Sequence, residues 1–193
     1  MSETPLIQGI KLGAVRGERV LFRDISVSAR AGDLILLRGA NGAGKTTLLR
    51  QLAGLSPPQA GQVVSSSAHH WIGHTNGLKA HETPRSHLAH WARVWGSEAD
   101  ISAILKEMGL RKPSEVPSGM LSAGQKRRTA LARLKLIERK LWLLDEPFNA
   151  LDSDGQAQLA EMIERHRATG GAIIAALHGD APIESSDEVV IKP

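Results

Sequence analysis

Cysteine is absent from this chain of 193 residues, and so is tyrosine. Without cysteine there are no disulfides, no thiol chemistry and no thiolate metal sites, which fits a reducing compartment. Long apolar runs are missing as well. Leu34 to Leu37 and Ala172 to Leu177 are among the longest, and both fall far short of the ~20 residues that span a bilayer. The opening MSETPLIQGI has no basic start followed by an apolar stretch, so no secretory signal is readable. The expectation is a chain soluble by itself; any membrane-spanning part of a larger machine would be another chain. Charge of one sign is also scarce: Lys plus Arg number 24 against 20 Asp plus Glu. So small an excess is a weak argument for nucleic acid or an anionic membrane, and phosphate ligands would account for it equally well. No internal repeat or low-complexity linker divides the chain, so residues 1–193 are read as a single domain.

What is present is an alternation of strand and helix signals. Leu6 to Ser28 reads as short antiparallel strands broken at Gly9, Gly13 and Gly17. After the turn at Ala31-Gly32-Asp33, Leu34 to Leu37 reads as a buried parallel strand. A glycine-rich loop follows, then a helix from about Lys45 to Ala53, stopped by Gly54 and Pro57-Pro58. Thr83 to Gly109 is predicted to be helical, with Leu88, Trp91, Val94 and Trp95 on one face and Ile101, Ile104, Leu105 and Met108 on another. A further helix opens at Ser122, whose capping-box spacing to Gln125 lets hydroxyl and amide each satisfy an end N–H. Leu141 to Leu144 and Ile173 to Leu177 are two more apolar strands, separated by a helix predicted over Gln156 to Ala168. Strands alternating with helices give an α/β fold with a parallel core sheet.

Gly39-Ala40-Asn41-Gly42-Ala43-Gly44-Lys45-Thr46 matches the phosphate-loop pattern G-x-x-x-x-G-K-[ST] at every position, between an apolar strand and a helix. The glycines let backbone N–H groups converge on phosphate oxygens, and the helix N-terminus adds partial positive charge. Lys45 can reach the β- and γ-phosphates of ATP, Thr46 can hold Mg²⁺, and Thr47 completes the ATP-binding set. Leu141 to Leu144 ends in Asp145-Glu146, which puts two carboxylates at the carboxyl end of a strand, where open α/β sheets bind ligands. Asp145 is placed to hold Mg²⁺, directly or through water, and Glu146 to take a proton from an attacking water.

Leu121-Ser122-Ala123-Gly124-Gln125 resembles the LSGGQ signature of ABC ATPases, with Ala123 in place of the first glycine. Asp145-Glu146-Pro147, Ala150-Leu151-Asp152 and His178 after the last strand follow in the family's order. The resemblance covers nearly the whole chain. It implies a P-loop NTPase of ABC ATPase fold, with an N-terminal antiparallel β subdomain and an α-helical subdomain inserted over about 80–137. It also implies a head-to-tail, ATP-dependent dimer with a second copy, in which the signature helix of one copy covers the γ-phosphate held by the other. His178 would contact that phosphate, and the Ala150-Leu151-Asp152 D-loop would couple the two sites.

Three positions depart from the family pattern. The adenine-stacking aromatic falls on Arg16, whose planar guanidinium can stack on a base. The glutamine that meets Mg²⁺ falls on His74, and a neutral imidazole is a poor ligand for that oxygen-seeking ion. The usual acidic residue three after Thr83 is Ser86. Trp71-Ile72-Gly73-His74, then Gly77-Leu78-Lys79, with LSAGQ and Arg127-Arg128, is similar to the ATPase subunits of cytochrome c maturation (haem exporter) complexes. That likeness implies integral membrane partners, a peripheral place on the cytoplasmic face of the inner membrane, and hydrolysis that drives release of a haem-loaded periplasmic chaperone.

Most of the histidines lie between His69 and His90, and His87 and His90 are one helical turn apart. They are read as a polar, solvated helix face rather than as haem ligands. Trp91 and Trp95 read as core packing, with a groove for a short helix of a membrane subunit as the alternative. Two other functions stay open. A lipid or drug exporter would share every ATPase motif. A DNA-associated ABC ATPase would carry a long coiled coil or zinc insertion between phosphate loop and signature; the segment from Lys45 to Leu121 has neither, and no nucleic-acid partner is expected.

Overall fold

Alternating burial along the N-terminal segment makes a hairpin: β1 (Ile7–Arg16) and β2 (Arg19–Ala29) pair antiparallel, Ile7 opposite Ala29. The computed structural model describes residues 4–179 and 182–191. The chain continues through β3 (Leu34–Arg38), α1 (Lys45–Leu52), β4 (Ala60–Ser65), β5 (His69–Ile72), α2 (Pro84–Trp95) and α3 (Ile101–Glu107). Then come α4 (Ala123–Ala132), β6 (Leu141–Asp145), α5 (Ser153–Ala168), β7 (Ala172–Ala176) and β8 (Asp187–Val190). Two compact units result. One runs to His74 and takes up again over Arg139–Pro147 and from Leu159 onward; the other is Thr75–Glu138 with Phe148–Gln158.

The first unit holds both sheets. A three-stranded antiparallel sheet has the order β2-β1-β4, and a five-stranded sheet has the order β5-β6-β7-β3-β8. All the pairings in the larger sheet are parallel. Its central strands are buried along their whole length, as continuous runs such as LWLLD and AIIAA require. Leu48, Leu49 and Leu52 of α1 join Leu12, Phe22, Leu37, Leu143 and Ile174 in one apolar core, each fully buried side chain contributing about 1.5–3 kcal/mol before entropy. β4, β5 and β8 were not predicted. α5 begins at Ser153 rather than Gln156, because the Asp152 carboxylate accepts from the Gly155 N–H at 3.0 Å and caps the helix early.

The second unit is helical. Thr83 and Ser86 make the capping box of α2, with Pro84 in the first turn, and α2 ends at Gly96 in the left-handed conformation. Serine thus does locally, by hydroxyl, what a longer acidic side chain at this position would do by carboxylate. Asp100 caps α3, accepting from Ser102 and Ala103 N–H groups. The inward face of α2 is Pro84, His87, Leu88 and Ala92. Val94 is 56 % exposed, contrary to the predicted face, because it falls at the edge of that stripe. His87 is 2 % exposed, so it does not share a solvated face with exposed His90; the Glu82 carboxylate covers its Nδ1 at 3.2 Å. Trp91 and Trp95, both half-buried, pack ring against ring at 4.9 Å, and the Arg133 guanidinium lies 5.3 Å over the Trp91 ring.

Candidate nucleotide-binding site

The loop between β3 and α1 is shaped by glycine. Gly44 caps α1 at φ 108°, and a Cβ there would lie 2.9 Å from the Phe22 ring; no other residue satisfies both demands. α1 has no side-chain cap and no acidic residue in its first turn, so no side chain of the helix's own start competes with an incoming anion for its N–H groups. Ala43 N–H closes the loop onto Ala40 O at 3.1 Å. Lys45 is 7 % exposed and folds back, its Nζ donating to the carbonyls of Gly39 at 2.7 Å and Ala40 at 3.3 Å. Its ammonium therefore sits inside the loop. Asn41 and Gly42 are exposed at the rim, and Thr46 and Thr47 follow in the first turn of α1.

β6 carries Asp145 to this loop. In the sheet β7 separates β6 from β3, and the parallel register sets Asp145 beside Ala176. The Thr46 hydroxyl donates to the Asp145 carboxylate, 2.9 Å to Oδ2 and 3.1 Å to Oδ1, and Asp145 is 1 % exposed. Two hard oxygen donors thus meet at the mouth of a phosphate loop, the donor chemistry that Mg²⁺ prefers. Glu146 follows at φ 51°, a left-handed backbone rare for a non-glycine residue and costing about 1–3 kcal/mol. Its N–H donates to Ala176 O at 2.9 Å, which holds the bend against that strain. His178 is exposed just past the end of β7, and Leu177 N–H is bonded to Leu37 O at 3.3 Å. His74, just after β5, and Arg16, the last residue of β1 and opposite Arg19 of β2, are both exposed.

In the helical unit the signature forms its predicted cap. Ser122 Oγ accepts from Gln125 N–H at 3.2 Å, and Gln125 Oε1 accepts from Ser122 N–H at 3.0 Å. Leu121 is buried and Ala123 is exposed. A Cβ on Gly124 would come within 2.8 Å of the Ala150 carbonyl oxygen, so the chain departs from LSGGQ at the glycine that has room and keeps the one that does not. Ala150 has φ 64°, Leu151 is buried, and Asp152 receives Arg128 Nη2 at 3.0 and 3.2 Å. That ion pair, the 3.2 Å contact from Arg127 to Asn76 Oδ1 and the Glu82–His87 contact are not legible in the sequence. Each joins residues on different elements or across a turn, and only the Arg127-Arg128 pair gave any signal.

A glycine-built anion loop, a lysine held inside it and a carboxylate strand beside it define a P-loop nucleotide-binding protein. The model of the ABC transporter family matches residues 22–149. Over 191 residues the chain is 54 % identical to the cytochrome c biogenesis ATP-binding export protein CcmA of Hyphomonas neptunium, covering 99 % of each chain. It is 42 % identical to the protein of that name from Maricaulis maris, over 91 % of this chain and 86 % of the other. Two solved structures share the fold. One is the ATP-binding subunit of an ABC transporter, with TM-score 0.79 and 23 % identity over 90 % of this chain and 79 % of that one. The other is an ABC transporter ATP-binding protein from Pyrococcus furiosus, with TM-score 0.80 and 19 % identity over 96 % of both. The chain belongs to the ABC transporter family of ATP-binding proteins, among the cytochrome c biogenesis ATP-binding export proteins. ATP binding and hydrolysis come with that membership. Among the described residues no helix is long and apolar enough to cross a membrane.

Proposed function

We propose that this chain hydrolyses ATP as the peripheral subunit of a cytochrome c maturation transporter, seated at the cytoplasmic face of the inner membrane against integral membrane subunits. Hydrolysis there drives release of a haem-loaded periplasmic chaperone. The single ABC ATPase domain, 1–193, acts as a head-to-tail dimer with a second copy.

The observation that carries the ATPase chemistry is the Thr46–Asp145 contact at the mouth of an uncapped helix N-terminus. Residues Gly39 to Thr47 bind the triphosphate. Lys45 keeps a bond to its own loop and turns the remaining donors of its ammonium to the β- and γ-oxygens. Thr46 and Asp145 would hold Mg²⁺, which when bound offsets the negative charge of the phosphates. Glu146, its backbone turned left-handed, accepts a proton from water as the water oxygen bonds to the γ-phosphorus. The bond from that phosphorus to the bridging oxygen breaks, and ADP and phosphate leave. His178 contacts the γ-phosphate and orients the water.

The partner's signature completes the site. Its Leu121 anchors the segment, its Ser122 and Gln125 fix the helix start, and the first-turn N–H groups of Ala123 and Gly124 run toward the γ-phosphate. The D-loop, Ala150 to Asp152, couples the two sites. Arg16 stacks on adenine in place of an aromatic, and His74 offers a ring nitrogen where the family has glutamine. Purification of the chain with its neighbours in mild detergent tests the assignment. Recovery with cytochrome c maturation membrane proteins supports it, and recovery with a lipid or drug exporter's membrane subunits overturns it.

A further inference from the structure

The turn from Lys79 to Glu82 is bonded in both directions. Lys79 N–H donates to Glu82 Oε2 at 3.2 Å, and Glu82 N–H donates to Lys79 O at 3.0 Å. Closed in this way, the turn presents two carbonyls to another part of the helical unit: Glu82 O accepts from Ser118 N–H at 2.7 Å, and Ala80 O accepts from Gly119 N–H at 2.8 Å. Ser118 is buried and opens a 3-10 turn, Ser118–Met120, and its carbonyl accepts from Leu121 N–H at 3.2 Å. Leu121 leads straight into the Ser122 cap of α4. The Glu82 turn therefore sets where the signature helix begins.

His87 fixes that turn from below. The Glu82 carboxylate can only accept, so the 3.2 Å contact assigns the proton to His87 Nδ1. Nε2 is then a buried acceptor with no hydrogen-bond partner among the described residues. A leucine or phenylalanine would fill this apolar position without leaving a polar atom unpaired. The imidazole is worth keeping only for what Nδ1 does to Glu82.

We propose that Glu82 is a positioning residue for the signature segment, held in place by His87, and that the pair sets how readily this helix start receives the nucleotide of a second copy. This rests on the nucleotide-sandwich reading above. Among the described residues the hydrogen bonds of Glu82 and His87 stay within the helical unit, so the pair acts on dimer formation and not on nucleotide uptake by a single copy.

The test uses the full chain carrying Glu146→Gln, followed by two readouts: binding of a fluorescent ATP analogue to the monomer, and the ATP concentration that half-converts it to dimer in size-exclusion chromatography. Adding Glu82→Ala or His87→Phe should raise the dimerising ATP concentration by about tenfold or more, the loss of a hydrogen bond to a charged group. Analogue binding by the monomer should stay within about twofold. His87→Asn, whose amide nitrogen can donate where Nδ1–H does, should recover most of the loss. An unchanged dimerising concentration in Glu82→Ala overturns the proposal, and this variant remains informative if His87→Phe does not fold, because Glu82 is at the edge of the core. Equal weakening of analogue binding and dimerisation also overturns it, since that is what general damage would give. If the Glu146→Gln parent forms no ATP-dependent dimer, the sandwich reading fails and this inference with it; a dimer in the parent with no response to Glu82 rejects this inference alone.

Discussion

Arg128 and Asp152 are joined inside one unit: Nη2 of the arginine lies 3.0 and 3.2 Å from the two carboxylate oxygens, and the same carboxylate caps α5 through Gly155 N–H. The signature helix and the D-loop are therefore one piece of local structure. The two roles of Asp152 separate by mutation. Arg128→Ala removes an ion pair whose carboxylate is 60 % exposed, which costs under about 1 kcal/mol of stability. Asp152→Ala removes the cap as well, adding about 1 kcal/mol. Thermal melts of the two variants should differ by that increment, and equal midpoints would show that the cap contributes nothing.

Lys45→Ala should abolish ATP turnover. The ammonium is already inside the loop on the Gly39 and Ala40 carbonyls, and no other cation lies in the phosphate-loop segment. Phosphate release measured on purified protein checks this, and turnover near wild type would remove the loop from the active site.

Glu146→Gln should bind ATP, fail to hydrolyse it and collect as a nucleotide-bound dimer. Glutamine keeps the length of the side chain and the same left-handed backbone at φ 51°, so the bend after β6 survives while the proton acceptor is lost. Size-exclusion chromatography with ATP reads the dimer. Persistent hydrolysis with no dimer would reject Glu146 as the base.

The parts of the fold that were legible in sequence are those where one residue type has one physical explanation. Gly44 followed by Lys45 and Thr46, an apolar run ending in Asp145, and Ser122 three residues before Gln125 each specify a local geometry, and the structure contains all of them. β4 was not legible because it is an almost wholly exposed edge strand, AGQVVS, with no alternation to read. β5 was hidden by two histidines, His69 and His70, the second buried at 1 % exposure. β8 is four residues long at the other edge of the sheet, DEVV, and is mostly exposed. His87 was misread because its spacing from His90 fits a solvated face, while the turn that buries it is fixed by Glu82, five residues back.

Acid should loosen the helical unit. Burial holds the His87 imidazole below its usual pKa, against the Glu82 hydrogen bond that raises it and with Arg133 and His90 lowering it further. Burial alone would raise the Glu82 carboxyl, but hydrogen bonds from Lys79 N–H and His87 outweigh it and hold it below the usual carboxylate value. For both groups the unfolded chain binds protons more readily than the folded one, so both contributions are fully present above the unfolded values and are lost as pH falls from there through the lower folded ones. Stability should therefore be flat above the ordinary histidine range and decline below it, first through His87 and then through Glu82. Hydrogen exchange of α2 amides between neutral and mildly acidic pH measures this. His87→Phe should remove the first part of the decline, and an unchanged profile in that variant would assign the acid sensitivity elsewhere.

The two central positions of the signature should respond to glycine and alanine in opposite ways. Ala123 is exposed in the first turn of α4, so Ala123→Gly restores the family's common sequence at a cost of at most about 1 kcal/mol in helix propensity, and ATP-dependent dimerisation should continue. Gly124→Ala places a methyl within 2.8 Å of the Ala150 carbonyl oxygen. That oxygen is backbone and cannot rotate aside as the end of a side chain would, and Ala150 already sits at φ 64°. The D-loop must shift to make room, which moves Asp152 from Arg128 and disturbs the segment proposed to couple the two nucleotides. Turnover should fall at least about tenfold for the D-loop displacement alone, as misplacement of catalytic geometry does, while monomer binding of a fluorescent ATP analogue is retained. If Gly124→Ala turned over ATP as fast as Ala123→Gly, the close approach of Gly124 to Ala150 would have no part in function.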